Sequence, residues 1–119
     1  MCGIFGVLTN QEFNQSPALL KKALFHLANS SESRGKDSSG IAIKDNLLDV
    51  FKVNKAPYSI SKLLSSKNVK HDINQLFSLK NSVKIVFGHT RLVTNGSQLD
   101  NNNNQPVIKK NIICIHNGI

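Results

Sequence analysis

The chain begins MCGIFGVL, and that opening constrains the fold more than any other stretch. GIFGVL is a short run of branched and aromatic residues with no polar leader, so it reads as a strand buried in a sheet almost from the first residue. Its two glycines, Gly3 and Gly6, let other backbone segments approach closely. Cysteine at position two is small enough for methionine aminopeptidase to remove Met1. Cys2 would then carry a thiol and a free α-amine on one residue. Such a placement is either chemistry or accident, and the rest of the chain decides.

Ser16-Pro17 predicts a helix start, with serine as N-cap and proline at the first helical position. In ALLKKALFHLANSS, the residues Leu19, Leu20, Ala23, Leu24 and Leu27 fall on one face opposite lysines, an amphipathic helix ending before the loop SRGKDSSG. After Gly40, IAIKDNLLDVFKV predicts two short strands around Asp45-Asn46. Helical stretches follow at Ser59–Ser66 and in HDINQLFSLK, and VKIVFGHT is a strand. NGSQLDNNNNQP reads as a long surface loop, and VIKKNIICIHNG as a hairpin centred on Lys110-Asn111. Strands outnumber helices without regular alternation, which favours an α+β layered fold over a doubly wound parallel sheet.

A chain of 119 residues allows one small domain with a workable core. No apolar run approaches the roughly 20 residues that span a bilayer, and the N-terminus lacks a signal-peptide pattern, so a cytoplasmic address and no membrane partner are expected. Cys114 lies in an apolar strand and is expected to pack as a small hydrophobe rather than to pair with Cys2. The net charge of +8 is nearly all lysine, with Arg34 and Arg91 the only arginines. The lysines are scattered and lack aromatic interleaving, so they predict a solvated surface and no nucleic-acid partner. There is no GxGxxG, phosphate loop, CxxC or HExxH, and His26, His71, His89 and His116 are not at metal-ligand spacing. Neither a cofactor nor a metal is expected.

Four segments remain: the N-terminal CGIFG, the loop SRGKDSSG, the strand end FGHTRLVTNG, and the terminal CIHNG. Singly each has a bland reading, as a packed strand, a turn, a surface arginine and a hairpin turn. Together and in this order they resemble the glutaminase domain of the class-II (N-terminal nucleophile) glutamine amidotransferases. That family includes glucosamine-6-phosphate synthase, amidophosphoribosyltransferase and asparagine synthetase. RGKDSSG matches the family pattern RGxDSxG, GHTRLVTNG its HTR segment, NQP the loop after it, and HNG the oxyanion strand. From Asp45 to Ser82 the chain carries no motif.

The resemblance implies an N-terminal nucleophile hydrolase fold, a four-layer αββα sandwich. It implies hydrolysis of L-glutamine to glutamate and ammonia through a thioester on an N-terminal cysteine. Cys2 is the implied nucleophile, with its own α-amine as general base in place of a histidine. The side-chain amide of Asn117 and the backbone N–H of Gly118 are the implied oxyanion donors. Arg91 is implied to bind the substrate α-carboxylate, which suits its planar fork, and Thr94 to add contacts to the substrate. Arg34 and Gly35 fall in a supporting loop, and His89 and His116 are not expected to act as the base. The family's glutaminase domain continues beyond the HNG segment, so residues 1–119 are expected to be its N-terminal part, with further strands, an acidic clamp for the amino group and an ammonia-accepting synthase domain or subunit absent here. Leu92 departs from the aromatic residue found after the arginine in glucosamine-6-phosphate synthase, and the acceptor is left open. The alternative from another class is a non-catalytic relative that binds an amino acid or a partner in the same pocket.

Overall fold

The computed structural model describes residues 1–118. Strand β1 (Gly3–Thr9) leads into helix α1 (Pro17–Glu32), the hairpin β2 (Ser38–Asp45) and β3 (Val50–Ala56), helices α2 (Ile60–Leu64) and α3 (Lys67–Ser78), and strand β4 (Lys84–Arg91). A 3-10 turn at Asn101–Asn103 precedes a second hairpin, β5 (Val107–Lys109) and β6 (Ile112–Cys114). Strands β1 to β4 form one antiparallel sheet in the order β1-β4-β2-β3, and β5-β6 a separate ribbon. The mixed α/β architecture with antiparallel pairing agrees with an α+β domain. Among the described residues no helix is long and apolar enough to cross a membrane.

Register explains the layering. Phe5 lies opposite Gly88, which lies opposite Ile41, and Val7 lies opposite Val86, which lies opposite Ile43. Side chains of one rung share a face, so these residues point together into the helices. There they meet Leu20, Leu24, Ile60, Leu64, Val69, Ile73 and Phe77 in one core. The alternate residues face the other side, where Ile4 and Leu8 are exposed.

Three helical expectations shift. Ser16 caps α1 through Leu19 N–H, as expected, but the buried stripe is Leu20, Leu24, Ala28 and Ser31. Leu19, Ala23 and Leu27 are exposed, because the stripe that meets the sheet lies one residue further round the helix. The second stretch is only Ile60–Leu64, and α3 starts earlier than expected, at Lys67, with Val69, Ile73, Leu76 and Phe77 on its inner stripe. The hairpin at Lys110-Asn111 forms as expected, with Lys110 at φ 52°.

Other expectations fail. Cys114 is exposed rather than packed, since it ends a separate two-stranded ribbon outside the core of the main sheet; both cysteines are free. Lys84 is not solvated: it is 3% exposed on the core side of the sheet, opposite Thr9. Within the asparagine tract, read as surface loop, Asn104 is fully buried.

Candidate active site

The sheet register gathers the motif segments at one end. Gly3 pairs with Thr90, and Arg91 with Ser38, so the residue before β1, the end of β4 and the start of β2 lie side by side. Cys2 therefore sits at the same sheet end as Arg91. It is 8% exposed, whereas Met1 is 76% exposed.

This end is held by a bond set that accounts for the motif letters. Thr90 donates through Oγ1 to Ser31 O at 2.7 Å, and Ser31 Oγ donates to Ile4 O at 3.0 Å, fastening α1 to β1 and β4. A Cβ on Gly3 would lie 2.6 Å from Thr90 Oγ1, so only glycine fits beside that contact. In the RGKDSSG loop, a Cβ on Gly35 would lie 2.3 Å from the Arg91 carbonyl carbon. Asp37 N–H donates to Arg91 O at 3.0 Å, and Asp37 Oδ2 accepts from Val93 N–H at 2.8 Å. Ser39 Oγ donates to Tyr58 O at 2.8 Å. The loop is thus a brace for the backbone around Arg91.

The guanidinium of Arg91 is fixed by neutral acceptors. Nη1 donates to Asn104 Oδ1 at 2.9 Å and Nη2 to the Asn95 carbonyl. The ion pairs among the described residues involve Lys44 and Lys52 with Asp45, Asp49 and Asp72, and neither arginine takes part. An arginine with donors to spare and an uncompensated charge suits a carboxylate ligand.

The segment before Asn117 is held from two sides. Gln105 accepts from His116 N–H and donates through Nε2 to His116 O at 3.0 Å. His89 Nε2 donates to the same carbonyl at 3.1 Å. Gln105 rests on β2: a Cβ on Gly40 would lie 1.9 Å from the Gln105 carbonyl oxygen. Asn117 and Gly118 follow directly and are exposed, as is Thr94 in the turn after β4. No hydrogen bond among the described residues joins Thr94, Asn117 or Gly118 to Cys2 or Arg91. Among the described residues the Arg34 side chain reaches the Met1 sulfur, at 3.9 Å. Asp37, Ser38, Asn104 and Gln105 were missed as site residues. RGKDSSG and NQP marked their neighbourhoods but not which side chains turn inward.

His89 is fully buried, with Nδ1 unpartnered among the described residues. Burial pushes its imidazole from 6.5 down to about 4; the nearby Arg91 charge adds to the depression, and the bond to His116 opposes it. Between those values the unfolded chain takes up a proton that the folded chain refuses. Stability is therefore full above about pH 6.5 and falls as pH drops toward 4, by about 2 kcal/mol after allowance for solvent screening. His89→Gln keeps a donor for His116 and is expected to remove this loss. Urea midpoints at several pH values measure it, and a wild-type-minus-variant difference that stays constant across the window refutes it.

Sequence comparison supplies relatives. Over 122 residues the chain is 36% identical to a glutamine–fructose-6-phosphate aminotransferase (isomerizing) of Wigglesworthia glossinidia brevipalpis. It is 33% identical over 120 residues to the same-named protein of Buchnera aphidicola subsp. Baizongia pistaciae, and 29% over 119 residues to that of Buchnera aphidicola subsp. Acyrthosiphon pisum. Each match takes in all of this chain and 17% of the relative's length. No family model matches the chain. No solved structure matches it either. With relatives aligned along its whole length and its motif segments gathered at one sheet end, the chain is similar to the glutaminase domain of these glutamine amidotransferases, of whose full length it spans 17%.

Proposed function

We propose that this chain is part of a glutaminase domain that hydrolyses L-glutamine through Cys2 and passes the ammonia to an acceptor on a synthase domain or subunit. The observation that carries the reading is the meeting of Cys2 and an unpaired, braced Arg91 at one end of the sheet. A carboxamide is a poor electrophile, and division into acylation and deacylation eases its cleavage. With Met1 removed, the Cys2 α-amine takes the thiol proton, and the thiolate attacks the glutamine δ-carbon. The carbonyl π electrons move to oxygen, where the Asn117 amide and the Gly118 N–H would receive the charge. Collapse expels ammonia, with the proton returned by the α-ammonium, and water then hydrolyses the thioester to glutamate. Arg91 would bind the α-carboxylate, with Thr94 adding a contact.

We assign residues 1–119 to the N-terminal part of an αββα sandwich. Support comes from the sheet face opposite the helices, where exposed Ile4 and Leu8 suit a second sheet layer. The exposure of Met1 over a buried Cys2 supports processing, because the removable residue is the accessible one.

The test is glutamate release from L-glutamine by the full-length protein, with the N-terminal residue identified by mass spectrometry. Glutamine-dependent glutamate production from a Cys-initiated chain is expected. Glutamine binding without glutamate production would favour the non-catalytic relative instead.

A further inference from the structure

We propose that Asn104 and Gln105, neighbours in the loop between β4 and β5, are the positioning residues of this site: Asn104 for the Arg91 guanidinium, and Gln105 for the segment that leads to Asn117 and Gly118. The inference rests on the glutaminase reading above.

Asn104 is fully buried, and both ends of its amide are used. Oδ1 accepts from Ser38 Oγ at 2.8 Å and from Arg91 Nη1 at 2.9 Å, while Nδ2 donates to Gln98 O at 2.7 Å. A side-chain amide can accept twice at its oxygen, so the acceptor is saturated. Ser38 fixes that oxygen from rigid β2, and the oxygen fixes the arginine. Neutrality matters as much as geometry. An amide holds a guanidinium without cancelling its charge, which stays available to a substrate carboxylate.

Gln105 does a different job with the same functional group. Its amide pairs with both the N–H and the C=O of His116, the two bonds a neighbouring strand would otherwise supply. His89 adds a third bond at the same carbonyl. The backbone of Gln105 is seated against Gly40, so the clamp stands on the sheet rather than on the loop. The residue it fixes immediately precedes the implied oxyanion donors. Two adjacent amides thereby connect Arg91 to the segment that carries the implied oxyanion donors. Asn104 should act on ground-state binding and Gln105 on the transition state.

Steady-state glutamine hydrolysis by the full-length protein separates these roles. Asn104→Asp keeps the acceptor but places an anion on the guanidinium; KM is expected to rise about tenfold with kcat within about twofold. In an Arg91→Ala background the same change is expected to leave kcat/KM unmoved, since Asn104 acts through Arg91. Gln105→Glu keeps the bond from His116 N–H and loses the one to His116 O; kcat is expected to fall about tenfold with KM within about twofold. Should Asn104→Asp fail to fold, Ser38→Ala removes the hydroxyl that fixes Oδ1 and is expected to raise KM about threefold, again only when Arg91 is present. Parallel changes in kcat and KM that track a lower melting temperature overturn the proposal, as does an Asn104 effect that persists without Arg91. A wild-type protein that releases no glutamate overturns the glutaminase reading and this proposal together; an active wild type without the kinetic split overturns this proposal alone.

Discussion

Cys2→Ala is expected to lower glutamate release from L-glutamine by on the order of 10⁴-fold or more, the scale at which a covalent nucleophile is lost. Retention of Met1 should be nearly as damaging, for a different reason. A free cysteine has a pKa of about 8.5 and is a few per cent thiolate at neutral pH, so an acceptor for its proton is needed. The α-amine of an N-terminal cysteine, at about 7.7 to 8.0, is matched to that task, whereas the nitrogen of a Met1–Cys2 peptide bond is no base. His89 offers no substitute: it is fully buried, and burial holds its imidazole down at about 4, too weak a base for a thiol proton at neutral pH. The measurement is initial-rate glutamate production from Cys2→Ala and from a chain whose terminus is blocked by an uncleaved extension. Full activity in a chain that mass spectrometry shows still carrying Met1 would sink the amine-as-base mechanism.

Gly40→Ala is expected to be the most damaging change away from the reacting atoms. The added methyl would sit 1.9 Å from the Gln105 carbonyl oxygen and 2.8 Å from Pro106 Cδ. Gly40 lies in the middle of the sheet, between β3 and β4, so the strand has little freedom to retreat. The loop must move instead, and Gln105 carries the clamp on His116 with it. Overpacking of this kind costs about 3 kcal/mol, read as a lower urea midpoint. Glutamate release should fall further than the lost stability explains, since the folded population would carry a displaced segment before Asn117 and Gly118. Wild-type stability and turnover in Gly40→Ala would show that residues 104–116 do not rest on β2 as described.

Much of the local structure was legible because it depends on local chemistry. Ser16-Pro17 starts α1, the hairpin forms at Lys110-Asn111, and the alternation in IAIK becomes β2. The motif segments were legible too, as short letter patterns around the site. Less was legible where burial depended on what arrives from elsewhere in the chain. Leu19 and Leu27 have the same apolar character as Leu20 and Leu24, yet only the second pair meets the sheet. Cys114 looks like a core residue until its ribbon proves to lie outside the main sheet's core, and Lys84 like a surface residue until its rung falls over the core.

The asparagine tract shows the division most sharply. From composition, Asn101 to Asn104 are four equivalent polar residues in a loop. In the fold the first three form an exposed turn, and the fourth is buried with its amide shared among Ser38, Arg91 and Gln98. By itself the sequence determined most of the elements, the order of the motif segments and the residue types that the proposed amide cleavage calls on. Those follow from dihedral preference, side-chain periodicity and intrinsic reactivity, all carried by neighbours along the chain. Only tertiary structure decided that Cys2, Arg91 and Ser38 share one sheet end, and which asparagine orients the arginine. Strand register and the directions of long-range hydrogen bonds are settled between residues dozens of positions apart, when distant segments compete for one buried face.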